Sequence, residues 1–331
     1  MIKTAVIGVG SMGQNHARVY TELKEAELVA VSDVNQDAVT AIAHKYSVPA
    51  YTDYQEMLEK EQPEAVSIAV PTALHEEVAS AVMRAGAHVL IEKPIAATVE
   101  EGQRLIELAA SLERKLMVGH IVRFNPAIQE LKKKLHDGEL GRIFQIICRR
   151  IGPFPARIRD VGVVVDLAPH DLDLMCFLTD EQPVRIFAEI EQRVHTDHED
   201  LVLGLVRFEN NITGSLEINW LTPTKVREVI VLGELGMFKV DDLTQDLYFY
   251  ENATVQEELW QALRTIKGVS EGRMVRYSLQ RYEPLKAELQ AFLQAIIDDA
   301  PVAVSGEDGL VALRLALALI ESGRTNQVIE V

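Results

Sequence analysis

Over the first 120 residues the apolar positions alternate between two spacings. Short apolar runs at Thr4–Val9, Glu27–Ser32, Ala65–Ala69, Val89–Ile91 and Lys115–Gly119 predict strands. Amphipathic stretches between them, at Ser11–Glu22, Asp37–Tyr46, Thr72–Arg84 and Thr98–Ser111, predict helices. Ala5–Val9 and Val66–Val70 lack polar alternation, as strands covered on both faces do. Strands and helices in such alternation build βαβ units on a parallel sheet. After Arg123 the rhythm changes. A helix at Pro126–Leu135, a Gly138–Gly141 break and a strand at Ile143–Arg149 precede a Pro/Gly-rich loop and a helix at Asp166–Leu178. Alternating strands then fill Val184 to Tyr250, among them Leu201–Phe208, Thr213–Asn219 and Lys225–Leu232, in the manner of an antiparallel sheet. Helices at Glu283–Asp298 and Asp308–Ser322 close the chain, the second capped by Ser305 or Asp308.

The predicted fold is therefore α/β followed by α+β. A doubly wound parallel sheet occupies residues 1–121, and a mostly antiparallel open sheet backed by helices occupies residues 122–331. A length of 331 residues fits two domains at ~100–200 residues each. With 48% hydrophobic and 25% charged residues the chain is an ordinary globular protein. A formal charge of -17 repels nucleic acid and anionic membrane, which favours a small-molecule partner. Cys148 and Cys176 are the only cysteines, too few for a disulfide framework and not spaced as metal ligands, so a reducing cytoplasm and no metal are expected. Ala5–Val9 is too short for a signal peptide or a membrane span, and Leu310–Ile320 is broken by Arg314.

Gly8-Val9-Gly10-Ser11-Met12-Gly13 follows a predicted strand and opens a predicted helix, the context that the G-x-G-x-x-G dinucleotide fingerprint requires. Gly8 permits the tight turn, Gly10 lets a pyrophosphate approach the backbone, and Gly13 allows close packing of helix on strand. The N–H groups about Ser11 and Met12 face the anion. Asp33, at the end of the next strand, is the acidic residue that accepts hydrogen bonds from the adenosine ribose, and it would repel a 2′-phosphate. Val34 and Asn35 follow it with no arginine, so NAD is expected rather than NADP.

Glu92-Lys93-Pro94 follows a strand at the carboxyl edge of the sheet, where open α/β folds bind ligands; taken alone, such a tripeptide reads as a surface turn. Asp166 and His170, four apart, share one face of a helix, and a carboxylate so placed orients an imidazole for proton transfer. The plain alternative is a helix capped by Asp166 with an ordinary, partly buried His170. Pro169 between them is tolerable in a first turn, with the helix beginning near Val165.

In order and spacing these motifs resemble the Gfo/Idh/MocA oxidoreductases along the whole chain. The resemblance rests on the glycine loop, on Ala69-Val70-Pro71-Thr72 with His75, on Glu92-Lys93-Pro94, and on Gly162 followed by Asp166 and His170. It implies that Lys93 and His170 flank the reacting carbinol, with His170 as base and Asp166 as its orienter or a hydroxyl ligand. It also implies that Val70, Thr72 and His75 lie near the nicotinamide ribose, with Glu92 close by. Gly119-His120-Ile121-Val122-Arg123-Phe124-Asn125-Pro126 resembles the domain junction of a branch that oxidises UDP-N-acetylglucosamine at its 3-hydroxyl, which implies that Arg123 and Asn125 face the sugar. Independently of the resemblance, Arg142, Arg149, Arg150, Arg157 and Arg159 stand in a window without acidic residues, where guanidinium forks suit a diphosphate. As an exposed charge run, the same arginines would pair with acids elsewhere. Substrate-binding roles are thus expected for Arg123, Asn125, Arg149 and Arg157. A homodimer or homotetramer is expected, mainly from the resemblance. The readings that compete with a nucleotide-sugar dehydrogenase are an inositol or simple sugar dehydrogenase and a sensor that binds the dinucleotide without turnover.

Overall fold

The computed structural model describes residues 1–155, 161–194, 197–253 and 271–331. They form two compact units, Met1–Phe124 with Tyr282–Arg314, and Asn125–Arg281 with Leu315–Val331.

The first unit is built on six strands: β1 (Ile2–Ile7), β2 (Ala26–Ser32), β3 (Ala50–Tyr51), β4 (Ala65–Ile68), β5 (His88–Glu92) and β6 (Leu116–Gly119). They lie in the order β3-β2-β1-β4-β5-β6, every neighbouring pair parallel. Five helices complete the crossovers: α1 (Gly13–Glu22), α2 (Gln36–Tyr46), α3 (Tyr54–Glu61), α4 (His75–Arg84) and α5 (Val99–Ser111). Val6, Val31, Val66 and Leu90 are fully buried, as central strands covered on both faces require. The strand order reverses between β1 and β4, and ligands of open α/β sheets bind outside the carboxyl ends of such a pair. The glycine loop leaves β1 there, Ala69-Val70 leaves β4, and Glu92 ends β5. Local chemistry sets the helix starts: the Asn35 side chain accepts from the Ala38 N–H ahead of α2, and Thr98 and Glu101 form a reciprocal capping box on α5. β3 and α3 were not anticipated from the sequence. A two-residue edge strand has no period, and α3 buries only Met57 and Leu58.

The second unit contains α6 (Pro126–His136), β7 (Ile143–Pro153), α7 (Val163–Thr179), β8 (Pro183–Glu191), β9 (Leu201–Phe208), β10 (Thr213–Asn219), β11 (Leu221–Gly233), β12 (Gly236–Asp241), β13 (Asp246–Asn252) and β14 (Glu271–Arg276). With β15 (Ile329–Glu330) the strands form a nine-stranded sheet in the order β14-β13-β12-β11-β7-β10-β9-β8-β15. Its neighbouring strands are antiparallel except for β7 and β10. One face carries α7. A Cβ on Gly214 would stand 2.8 Å from the Met175 sulfur, so glycine is what lets helix and sheet approach. On β9, Val202 and Val206 are buried while Leu203 and Leu205 are half exposed, which separates a covered face from an open one.

The expected division after residue 121 needs one correction. The chain passes between units at Phe124–Asn125, and residues 282–314 return to the first unit. There α8 (Pro284–Ile297) contributes Leu285, Leu289, Phe292 and Leu293 to the same core as β1 and β5. Helix α9 (Gly306–Thr325) is shared, its part up to Arg314 belonging to the first unit. Ser305 caps it: the Asp308 N–H donates to Ser305 Oγ (3.1 Å) and the Ser305 N–H donates to Asp308 Oδ2 (2.9 Å).

Candidate functional site

In the first unit the glycine loop is shaped for a ligand at its outer side. Gly8 has φ 86° and donates its N–H to the Ser32 carbonyl at 2.7 Å. A Cβ on Gly13 would fall 1.7 Å from the Gly8 carbonyl oxygen, so the start of α1 can lie against the loop only without a side chain. A Cβ on Gly10 would meet no described atom within 4 Å. That glycine faces open space, where a pyrophosphate reaches the backbone. No side chain caps α1, and Ser11 and Met12 are exposed just before its first turn, which leaves its N–H groups to an anion. Asp33 is held beside this loop, accepting from the Val9 N–H (2.8 Å) and the Asn35 N–H (2.9 Å). Both carboxylate oxygens keep a lone pair for a ribose hydroxyl. Val34 next to it is 90% exposed.

Glu92 and Lys93 stand at the end of β5, both half-buried. Glu92 Oε1 lies 3.0 Å from Nε2 of His16, a fully buried histidine on α1 that sequence reasoning overlooked because a lone histidine carries no pattern. Burial pushes the Glu92 carboxyl up, but the His16 hydrogen bond and the nearby His16 and Lys93 charges outweigh it and hold it below the usual carboxylate range. His16 Nδ1 has no hydrogen-bond partner among the described residues. Gly119 admits this arrangement, since a Cβ there would press within 3.3 Å of Glu92 Oε2. The Lys93–Pro94 peptide is cis.

His75 requires a correction. It is 1% exposed, with Nδ1 2.9 Å from the Pro94 carbonyl and Nε2 3.1 Å from the Val70 carbonyl. Both ring nitrogens are thus turned to backbone, and the residue braces the Val70 and Pro94 segments instead of facing a ribose. Burial pushes its pKa down against those two hydrogen bonds, and a neutral imidazole donates to one carbonyl at a time. Val70 and Thr72, at the same loop, remain half-buried at the crevice.

In the second unit, α7 begins at Val163, earlier than the residue pattern suggested, so Pro169 falls beyond the first turn and removes the amide that would bond the Val165 carbonyl. Glu199 secures the start: its carbonyl accepts from the Val163 N–H (2.9 Å) and its carboxylate from the Val164 N–H (3.3 Å), a negative charge at the helix N-terminus. Asp166 and His170 lie on one helical face, both half-buried. One residue further, Asp171 is 1% exposed and takes Arg150 Nε at 2.9 and 3.0 Å and Nη2 at 2.8 Å. Burial pulls the Arg150 guanidinium down, yet Asp171 outweighs it and keeps it above its ordinary value. Asp242, after β12, approaches the same guanidinium at 4.0 Å. Burial pushes the Asp242 carboxyl up, against Arg150 and the hydrogen bond from Asn125.

Of the four residues expected to bind substrate, the structure describes three, Arg123, Asn125 and Arg149. Arg123 is 6% exposed and grips Asp308 at 3.3 and 3.4 Å, which ties it to the α9 cap. Asn125 is 1% exposed: its amide donates to the Asp242 carbonyl (2.9 Å) and Oδ1 (2.6 Å), and its oxygen caps α6 through the Ala127 N–H. It positions Asp242. Arg149 and Arg150 are consecutive on β7 and so point to opposite faces. Arg149 pairs with Glu217 at 2.8 Å on the open face, and Arg142 pairs with Glu234. The described arginines of the window, Arg142, Arg149 and Arg150, therefore do not form one clamp, because strand alternation and separate acid partners disperse them. Arg157 and Arg159 lie outside the described residues. Among the described residues no group of histidine, cysteine and acidic side chains suits a metal, and no helix is long and apolar enough to cross a membrane.

Comparison with known proteins agrees with this geometry. Residues 2–120 match the model of an oxidoreductase family with an NAD-binding Rossmann fold, and residues 128–239 match the GFO/IDH/MocA C-terminal domain. The chain is 31% identical to UDP-N-acetylglucosamine 3-dehydrogenase of Acidithiobacillus ferrooxidans, across 96% of this chain and 95% of that one. It is 27% identical to myo-inositol 2-dehydrogenase of Thermotoga maritima, across 97% and 96%. A solved structure of the A. ferrooxidans enzyme superposes with a TM-score of 0.85 at 30% identity, covering 98% of each chain. A glycine loop open at Gly10, an anchored Asp33 and full-length likeness to dehydrogenases lead to one conclusion: the chain belongs to the GFO/IDH/MocA oxidoreductase family and is an NAD-binding dehydrogenase acting on a CH–OH group of a sugar or polyol.

Proposed function

We propose that this dehydrogenase oxidises a secondary hydroxyl of a nucleotide sugar, with UDP-N-acetylglucosamine, taken from the 3-hydroxyl to the 3-ketone, as its best candidate. The observation that carries the reading is likeness to UDP-N-acetylglucosamine 3-dehydrogenase over nearly the whole of both chains, in sequence and in fold. Gly8, Gly10, Ser11, Met12, Gly13 and Asp33 hold NAD, with Val70, Thr72 and Glu92 at the nicotinamide end. NAD supplies the hydride acceptor. His170 takes the hydroxyl proton, Lys93 donates a hydrogen bond to the same oxygen as negative charge develops on it, and Asp166 orients His170. A myo-inositol dehydrogenase is the second reading, favoured by the 27% identity to such an enzyme across 97% of the chain. A sensor without turnover fits less well, because Lys93 and His170 are both present.

Incubating the protein with NAD and a panel of UDP-sugars and polyols, with a keto acid present to recycle tightly bound NADH, separates the readings. Oxidation of UDP-N-acetylglucosamine is expected; product formed only from polyols rejects the nucleotide sugar. The open sheet face bearing Leu203 and Leu205, 50% and 51% exposed, supports a homodimer or homotetramer. Sedimentation as a monomer at micromolar concentration would remove that assignment.

A further inference from the structure

The described arginines of the window expected to hold a diphosphate, Arg142, Arg149 and Arg150, each pair with an acid, but an arginine outside the window does not. Arg227 on β11 is the direct cross-strand partner of Arg150 on β7, so the two guanidiniums leave the sheet on the same face. That is the face on which Arg150 meets Asp171 of α7. Arg227 Nη1 donates to the Ile151 carbonyl (2.8 Å) and the Val226 carbonyl (2.8 Å). Its Nε and Nη2 have no partner among the described residues. Asp171 is held by Arg150, Asp242, whose N–H donates to the Arg227 carbonyl at 2.9 Å, receives the Asn125 amide, and among the described residues no carboxylate forms a direct ion pair with Arg227. A half-buried guanidinium with no carboxylate in direct contact is costly to keep charged. Burial, followed by repulsion from Arg150, brings Arg227 down to about 10, against Asp171, Asp242 and Asp166. The Asp166 charge also acts on Arg227, so the guanidinium lies within electrostatic reach of the α7 face that bears Asp166 and His170.

We propose that Arg227 is a substrate-binding residue whose Nε and Nη2 form a two-pronged contact with anionic oxygens of the substrate, those of the nucleotide-sugar diphosphate. Planar, paired N–H donors match two oxygens of a phosphate, and the ligand supplies the direct ion pair that no described carboxylate makes with Arg227. This inference rests on the nucleotide-sugar reading. A sugar carboxylate would offer the same paired oxygens, so hexuronates form a second arm of the test.

The test compares the parent protein with Arg227→Gln, which keeps an N–H donor for the two carbonyls, and with Arg227→Lys. Binding of UDP and of NAD is measured by calorimetry, and KM and kcat are measured with UDP-N-acetylglucosamine, glucuronate and myo-inositol. We expect Arg227→Gln to weaken UDP binding and raise KM for the UDP-sugar about ten- to hundredfold, with kcat changed far less and NAD binding unchanged. Arg227→Lys should recover part of the loss. Equal UDP affinity in parent and Arg227→Gln overturns the assignment while leaving a UDP-sugar-oxidising parent, and thus the nucleotide-sugar reading, intact. A loss confined to glucuronate overturns the diphosphate in favour of a carboxylate. A parent that neither binds UDP nor oxidises UDP-sugars overturns both, and is recognised before any variant is made.

Discussion

The candidate groups of the first unit stand at the carboxyl ends of parallel strands or within a turn of them, and backbone holds several in place. Asp33 is fixed by two main-chain N–H groups, and His75 by two main-chain carbonyls. In the second unit side chains hold side chains across long stretches of sequence: Arg150 meets Asp171, and Asn125 reaches Asp242 from 117 residues away. A doubly wound sheet makes its ligand crevice by strand order alone, so modest side-chain chemistry suffices there. An open antiparallel sheet has no such built-in cleft. Its polar cluster must balance its own charges, and among the described residues one guanidinium, Arg227, has no carboxylate in direct contact.

The largest expected effect tests the two residues proposed for proton transfer and charge stabilisation. Lys93→Ala in the first unit and His170→Ala in the second should each lower kcat by roughly 10²–10⁴ while leaving NAD affinity nearly intact. Full turnover in either variant would remove that residue from the proposed chemistry. Next comes stability in the second unit. Asp171→Ala strands the buried Arg150 charge and should cost about 3–5 kcal/mol in urea unfolding, whereas replacing both partners, Arg150→Met with Asp171→Leu, should recover most of that loss. A cost below about 1 kcal/mol for Asp171→Ala would mean that water already compensates the pair.

The smallest effect concerns His16 and Glu92. Because the native carboxyl is depressed, its ionised form adds stability above the ordinary carboxylate range, and that stability is lost as pH falls through the native value. In His16→Ala burial acts without its main opponent, so the Glu92 pKa rises. We expect a loss of about 1.5–3 kcal/mol at neutral pH and a shift of the acid limb of kcat/KM to higher pH. An unmoved acid limb would reduce His16 to packing and remove the claim that a side-chain charge pair matters in the first unit.

Much of the first unit was legible in the sequence. The glycine loop, Asp33, Lys93 and the alternation of strand and helix are local patterns whose spacing follows from the periods of the two structures. His75 was legible as part of a motif but misplaced, since spacing cannot say whether a ring points into a crevice or toward buried carbonyls. The arginine window misled for a related reason. Neighbours on a strand share a stretch of sequence but not a face, and partners such as Glu217 for Arg149 come from other strands.

By itself, then, the sequence determined the parallel sheet, the dinucleotide loop, the preference for NAD and the helix that carries Asp166 with His170, because each depends on residues within a few turns of one another. Only the tertiary structure decided that residues 282–314 complete the first core, that His16 secures Glu92, and that Arg150 meets Asp171 directly while no described carboxylate touches Arg227. Those outcomes depend on strand register and on which buried charge finds a partner, quantities fixed by packing between segments far apart in the chain.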